Sequence, residues 1–161
     1  MSERQGPGIR DQGPGGTPRP DARTEALYQE LILDHYRRPR NRGPVTGADR
    51  AAERRNPLCG DAIAVELALD GERVREAGFT GQGCSITQAA ASMLTGALRG
   101  LTLGEARALL ARYDAMIGGD PAALADVSLG ELRALSGVAR FPARLRCALL
   151  PAEALEEALR V

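Results

Sequence analysis

The spacing of apolar positions changes period along the chain, and each change predicts an element. From Asp21 onward, Leu27, Leu31 and the pair Ile32/Leu33 recur at helical intervals, and Asp21 or Thr24 can cap the first turn. Pro39 disfavours the helical conformation of the residue before it, so this helix is predicted to stop near Arg38. A loop over 41–47 leads to a weakly patterned stretch, 48–55, that reads as an edge strand. The period then falls to two: Ile63, Val65, Leu67 and Leu69 face one way, Ala62, Ala64, Glu66 and Ala68 the other. Asp70-Gly71 is a hairpin signal, and residues 73–79 return as the partner strand. Gly81-Gln82-Gly83 reads as a turn.

Beyond it the pattern is helical. Over 85–99, Ile86, Ala90, Met93, Leu94 and Ala97 form one stripe, and Gly100 ends it. Thr102-Leu-Gly-Glu105 is a capping box for a helix to about Ile117, followed by a break at Gly118-Gly119-Asp120-Pro121. Ser128-Leu-Gly-Glu131 has the same signature and predicts a short helix to about Leu135. A last helical region runs from Pro142 towards Arg160, kinked or restarted at Pro151. The predicted fold class is therefore α+β: a small antiparallel three-stranded sheet packed against several helices. Residues 1–22, rich in Gly and Pro and poor in apolar side chains, read as a disordered tail, and 23–161 as one folded domain.

Composition narrows the function classes. With 161 residues, 43% of them hydrophobic, the chain supports one ordinary core. Cationic and anionic side chains balance at 21 each, which argues against nucleic-acid binding by bulk charge, and aromatics at 3% with no Trp supply no stacking platform. No apolar run approaches the roughly 18 residues of a membrane span, and the N-terminus has no signal-peptide core, so a cytoplasmic location without membrane attachment is expected. All the cations are Arg, which excludes a lysine Schiff base or lysine general base. A single histidine, His35, reads as a structural or docking residue, and the run Arg37 to Arg42 as a solvated face or a surface for an acidic partner.

The three cysteines carry the chemistry. Cys59 lies in Asn56-Pro-Leu-Cys-Gly-Asp61, just before the alternating strand; Cys84 opens a helix; Cys147 follows Phe141-Pro-Ala-Arg-Leu-Arg146. A helix N-terminus favours a thiolate at Cys84, Arg144 and Arg146 would favour one at Cys147, and Gly60 leaves room for another group to approach Cys59. In extended chain Cys59 and Asp61 would point to one side. Three thiolates and a carboxylate make four ligands, enough for tetrahedral zinc, and the same residues could anchor an Fe–S cluster. Without a C-x-x-C pair the spacing equally allows three small buried hydrophobes.

Four blocks, in order, carry a family resemblance. Leu27-Tyr-Gln-Glu-Leu-Ile-Leu-Asp-His-Tyr-Arg-Arg-Pro-Arg-Asn-Arg-Gly43 resembles the N-terminal helix signature of the U-type Fe–S assembly proteins, the IscU/NifU N-terminal-like family. Asn56 to Asp61, Gly83-Cys-Ser-Ile86 and Phe141 to Cys147 look like its three cysteine blocks. Cys84 and Cys147 stand 63 residues apart, which accommodates the insertion of the SufU branch at about 104–127, and Arg146 occupies the place of an IscU-type histidine. The resemblance implies an IscU/SufU-like fold and zinc held by Cys59, Asp61, Cys84 and Cys147, with an Fe–S cluster on the same ligands as the alternative. It further implies sulfur transfer from a SufS-type, PLP-dependent cysteine desulfurase. Cys59 would be the sulfur acceptor, Arg144 a helper that pairs with Asp61, and downstream Fe–S assembly proteins or apo-targets the recipients.

Overall fold

The computed structural model describes residues 20–160. The tail expected over 1–22 thus falls, as far as Arg19, outside the described residues. Helix α1, Ala22–Arg37, begins where the Asp21 carboxylate accepts the Thr24 N–H at 2.8 Å and ends where the Arg38 N–H reaches back to the Asp34 carbonyl. Three strands follow, β1 Arg50–Arg55, β2 Ala62–Asp70 and β3 Arg73–Gln82, in the order β1-β2-β3 and antiparallel throughout. The α+β class with its three-stranded sheet is as the hydrophobic pattern predicts.

Two details of the sheet depart from the simple alternation. A register shift between Ala68 and Leu69 reverses the phase, so Ala68 is buried and Leu69 only half-buried. Gly81 and Gln82 are not a turn: they extend β3 and pair with Ile63 and Ala62. Gly81 has a φ of +128°, and a Cβ there would lie 2.1 Å from the Ala62 carbonyl oxygen, so β2 and β3 can close only over a glycine.

Helix α2, Ser85–Leu98, crosses the sheet as the central element, packed against α1, β3 and the later helices. The capping box predicted for α3, Leu103–Ile117, forms with both reciprocal bonds at 3.0 Å. A single turn, α4 Pro121–Leu124, leads to a run of 3-10 turns, Val127–Arg140. Here the second predicted box does not form. Asp126 is the cap, accepting the Ser128 N–H at 3.0 Å; Gly130 breaks the run at a φ of 57°; and Glu131 turns away to the His35 ring, Nε2 to Oε1 3.3 Å. His35 is buried at 3% exposure, and its Nδ1 meets Ser92 Oγ at 2.7 Å, so it clasps α1 between α2 and the 3-10 run.

The last helix, α5 Pro142–Arg160, continues through Pro151 as one element and does not restart there. Its C-terminal carbonyls are covered by arginine: Arg50 donates to Ala158 O at 3.2 Å and Leu159 O at 3.3 Å, and Arg107 donates to Leu159 O at 2.7 Å. Among the described residues no helix is long and apolar enough to cross a membrane.

Gly81→Ala should destabilise the fold by on the order of 3 kcal/mol, through strain at a positive φ and collision with β2, as read by denaturant unfolding. A second expectation concerns Asp114 on α3. Burial, then a hydrogen bond and the charge of Glu156, then Glu153, push its carboxyl up to about 8 from 3.8. The folded state therefore keeps a proton that the unfolded chain releases, and stability falls as pH rises from about 4 through 8. Asp114→Asn should remove this slope, and its thermal midpoint should gain on the parent between pH 5 and pH 8; equal slopes would contradict the assignment.

Candidate metal centre

Three of the four sequence-predicted donors meet at one place. One ligand atom each from Asp61, Cys84 and Cys147 lie within 4.8 Å of one another. They come from three elements: Asp61 leads into β2, Cys84 is the N-cap of α2, and Cys147 lies in the second turn of α5. Asp61 is buried, Cys147 is half-buried and Cys84 is exposed, so the group reaches from the interior to the surface. The cysteines are thus not buried hydrophobes.

Cys59 is not part of that convergent group. It sits exposed on a tight turn organised by Asn56, whose carbonyl accepts the Cys59 and Gly60 N–H groups at 3.3 and 2.8 Å. The Asn56 side chain takes the Leu58 N–H at 3.1 Å, and its own N–H closes the turn on the Asp61 carbonyl at 2.8 Å. Gly60 has a φ of +80°, so the chain reverses between Cys59 and Asp61, and the expectation of two side chains on one side of an extended strand does not apply. Cys59 instead is exposed beside Leu58, which is 92% exposed.

Asp61 has a partner that sequence reasoning missed. The Thr87 hydroxyl, one turn into α2, donates to Asp61 Oδ2 at 2.7 Å and lies 3.5 Å from Cys84 Sγ. The sequence signal was a hydroxyl three residues after the cysteine that caps the helix, on the same face of the first turn. Arg144, in contrast, makes no ion pair with Asp61 among the described residues; its guanidinium lies over the Phe141 ring, 5.7 Å from the centroid. Arg146 turns to Glu153 at 3.3 Å.

The two convergent thiols are not equivalent. Burial raises the pKa of Cys84, but the Thr87 hydroxyl and N–H, the Cys147 thiol and the Ile86 N–H outweigh it, and the net shift is downward. Cys147 is pushed up to about 11 by burial first and then by the adjacent Cys84, with the Asp61 charge acting in the same sense. The arginines near Cys147 therefore do not make it a thiolate, because both are engaged elsewhere. Pro151 has no N–H to offer the carbonyl of Cys147 four residues earlier, while Tyr113 on α3 donates to the next carbonyl, Ala148 O, at 2.8 Å. Helix α3 thus braces the helix that carries the third cysteine.

Two sulfurs and an oxygen within ligand reach of one centre suit a borderline-soft tetrahedral ion such as zinc, which needs one further donor. The turn that carries Cys59 lies two residues from Asp61, and a thiolate there would be that donor.

Comparison with known proteins agrees with this chemistry. Residues 27–148 match the NifU-like N terminal domain family. The zinc-dependent sulfurtransferase SufU of Bacillus subtilis (strain 168) is 40% identical over 137 residues, 85% of this chain and 92% of that protein. The iron-sulfur cluster assembly scaffold protein IscU of Streptococcus pyogenes serotype M1 is 37% identical, covering 83% of each chain. Among solved structures, a putative iron-sulfur cluster assembly scaffold protein for the SUF system from Fervidobacterium islandicum AW-1 superposes with a TM-score of 0.75 at 28% identity, covering 84% of this chain and 98% of that one.

Asp61→Ala should leave the far-ultraviolet circular dichroism unchanged and weaken zinc binding at least about tenfold in competition with a chromophoric chelator. Unchanged zinc retention would remove Asp61 from the ligand set.

Proposed function

From the premise that the chain belongs to the NifU-like N-terminal domain family, we propose that it serves iron–sulfur cluster assembly as a zinc-bearing sulfur acceptor. Its donor would be a PLP-dependent cysteine desulfurase of the SufS type. The observation that carries this reading is the division of the donors: Asp61, Cys84 and Cys147 converge, while Cys59 stands on an exposed turn two residues before Asp61. Three donors fixed by β2, α2 and α5 can hold an ion while the fourth leaves to react.

When bound, zinc keeps its thiolate ligands deprotonated and shielded from oxidation. The chain's own residues do the rest. The Asn56 turn presents Cys59 outward, and its thiolate attacks the terminal sulfur of the partner's persulfide. The bond between that sulfur and the partner's cysteine breaks, the partner leaves as a thiolate, and Cys59 carries the new S–S bond. Leu58, 92% exposed beside the nucleophile, offers an apolar contact for docking. Arg144 lies over the ring of the exposed Phe141, and docking there would free it to reach Asp61. Free cysteines of this kind belong in a reducing cytoplasm, and the recipients would be downstream assembly proteins or apo-targets.

The scaffold function named for the Streptococcus relative is the alternative on the same donors. Metal and labile sulfide, measured in protein purified without oxygen before and after incubation with desulfurase and cysteine, separate the two. About one zinc per chain, no sulfide and faster alanine release are expected; iron and sulfide in place of zinc would establish the scaffold. Cys59→Ser should abolish the mass gain of one sulfur atom seen after incubation with the desulfurase, and retention of that gain would displace Cys59 as acceptor.

A further inference from the structure

Thr87 is fully buried, and among the described residues its hydroxyl makes the shortest hydrogen bond to the side chains of the three convergent donors. The hydroxyl has one proton to give. At 2.7 Å it goes to Asp61 Oδ2; the contact to Cys84 Sγ at 3.5 Å is the weaker of the two. Asp61 Oδ1 accepts no hydrogen bond among the described residues. Each carboxylate oxygen keeps a lone pair for an ion, and the single bond from Thr87 fixes the direction of the group from the α2 turn that also carries Cys84.

The neighbouring backbone is shaped for this contact. A Cβ at Gly83 would lie 2.9 Å from Cβ and Cγ2 of Thr87 and 3.0 Å from Asp61 Oδ2. Any side chain there would push the hydroxyl and the carboxylate apart. Gly83 has no positive φ, so its lack of a side chain answers to this crowding and not to backbone conformation.

We propose that Thr87 is a positioning residue of the metal centre. Its hydroxyl fixes the orientation of the Asp61 carboxylate in register with Cys84, and Gly83 supplies the space that lets the two meet. The role rests on the zinc reading above. Asp61 is held by a neutral hydroxyl and not by a charge, so it stays available to a cationic partner such as Arg144 when the site opens.

The test uses the full chain, stripped of metal and titrated with Zn²⁺ against a chromophoric chelator and with Co²⁺ as a spectroscopic probe. Thr87→Val keeps the shape and removes the hydroxyl; Thr87→Ser keeps the hydroxyl. Thr87→Val should bind Zn²⁺ about tenfold or more weakly than the parent and shift the Co²⁺ ligand-field bands. Thr87→Ser should restore the parent spectrum, with affinity within about twofold of the parent. Gly83→Ala should move affinity and spectrum in the same direction as Thr87→Val. Parent-like affinity and bands in Thr87→Val would overturn the role while leaving the zinc site intact. If Thr87→Val fails to fold, parent-like behaviour of Gly83→Ala overturns it instead. A parent chain that takes up neither ion removes the zinc reading, and this inference with it.

Discussion

Helix α2 is buried on nearly every side, and the rest of the molecule is arranged to cover it. A helix without a solvated face must be enclosed all round, and the sheet, α1, the 3-10 run and α5 do so. It also carries four buried polar side chains, each of which must find a partner or cost stability. Each finds one outside the helix. Thr87 holds Asp61, Gln88 takes a hydrogen bond from Arg42 at 2.6 Å, Ser92 meets His35 and the Arg40 N–H, and the Thr95 hydroxyl oxygen accepts from Asn41 at 3.3 Å. Three of these four stitch the loop after α1 onto α2; the fourth builds the site.

The exposed end of the same helix makes the chemistry. Cys84, as its N-cap, emerges where the buried part of the helix begins, so its position is fixed by the core while its sulfur faces solvent. Cys147 is fixed by α5, which Tyr113 braces from α3, and Asp61 by the start of β2 and by Thr87. Cys59 is held instead by the exposed Asn56 turn, outside that convergent group. Three converging donors and one thiol presented outward suit a site that keeps an ion and still releases a nucleophile.

Much of this was legible in the sequence. The alternation from Ile63 to Leu67, the hairpin at Asp70-Gly71 and the Thr102/Glu105 box each rest on short-range rules, and each appears where those rules place it. The failures have tertiary causes. Ser128 and Glu131 have the spacing of a capping box, but Glu131 is drawn to the buried His35, and Gly130 breaks the turn between them. The Leu69 position fails because one irregularity in strand pairing reverses every face beyond it. The family blocks singled out Asp61, Cys84 and Cys147, but not that Thr87 would hold Asp61 while Arg144 rested on Phe141. That choice is made by distances between elements far apart in the chain.

The central claim is that these elements build a zinc centre from three fixed donors and the Cys59 thiolate. X-ray absorption at the zinc K-edge of the protein as purified tests it most directly. Three sulfur neighbours near roughly 2.3 Å and one oxygen near roughly 2.0 Å are expected, with one sulfur lost in Cys59→Ser. A shell of nitrogen and oxygen alone, or a sulfur count unchanged by that substitution, would contradict it.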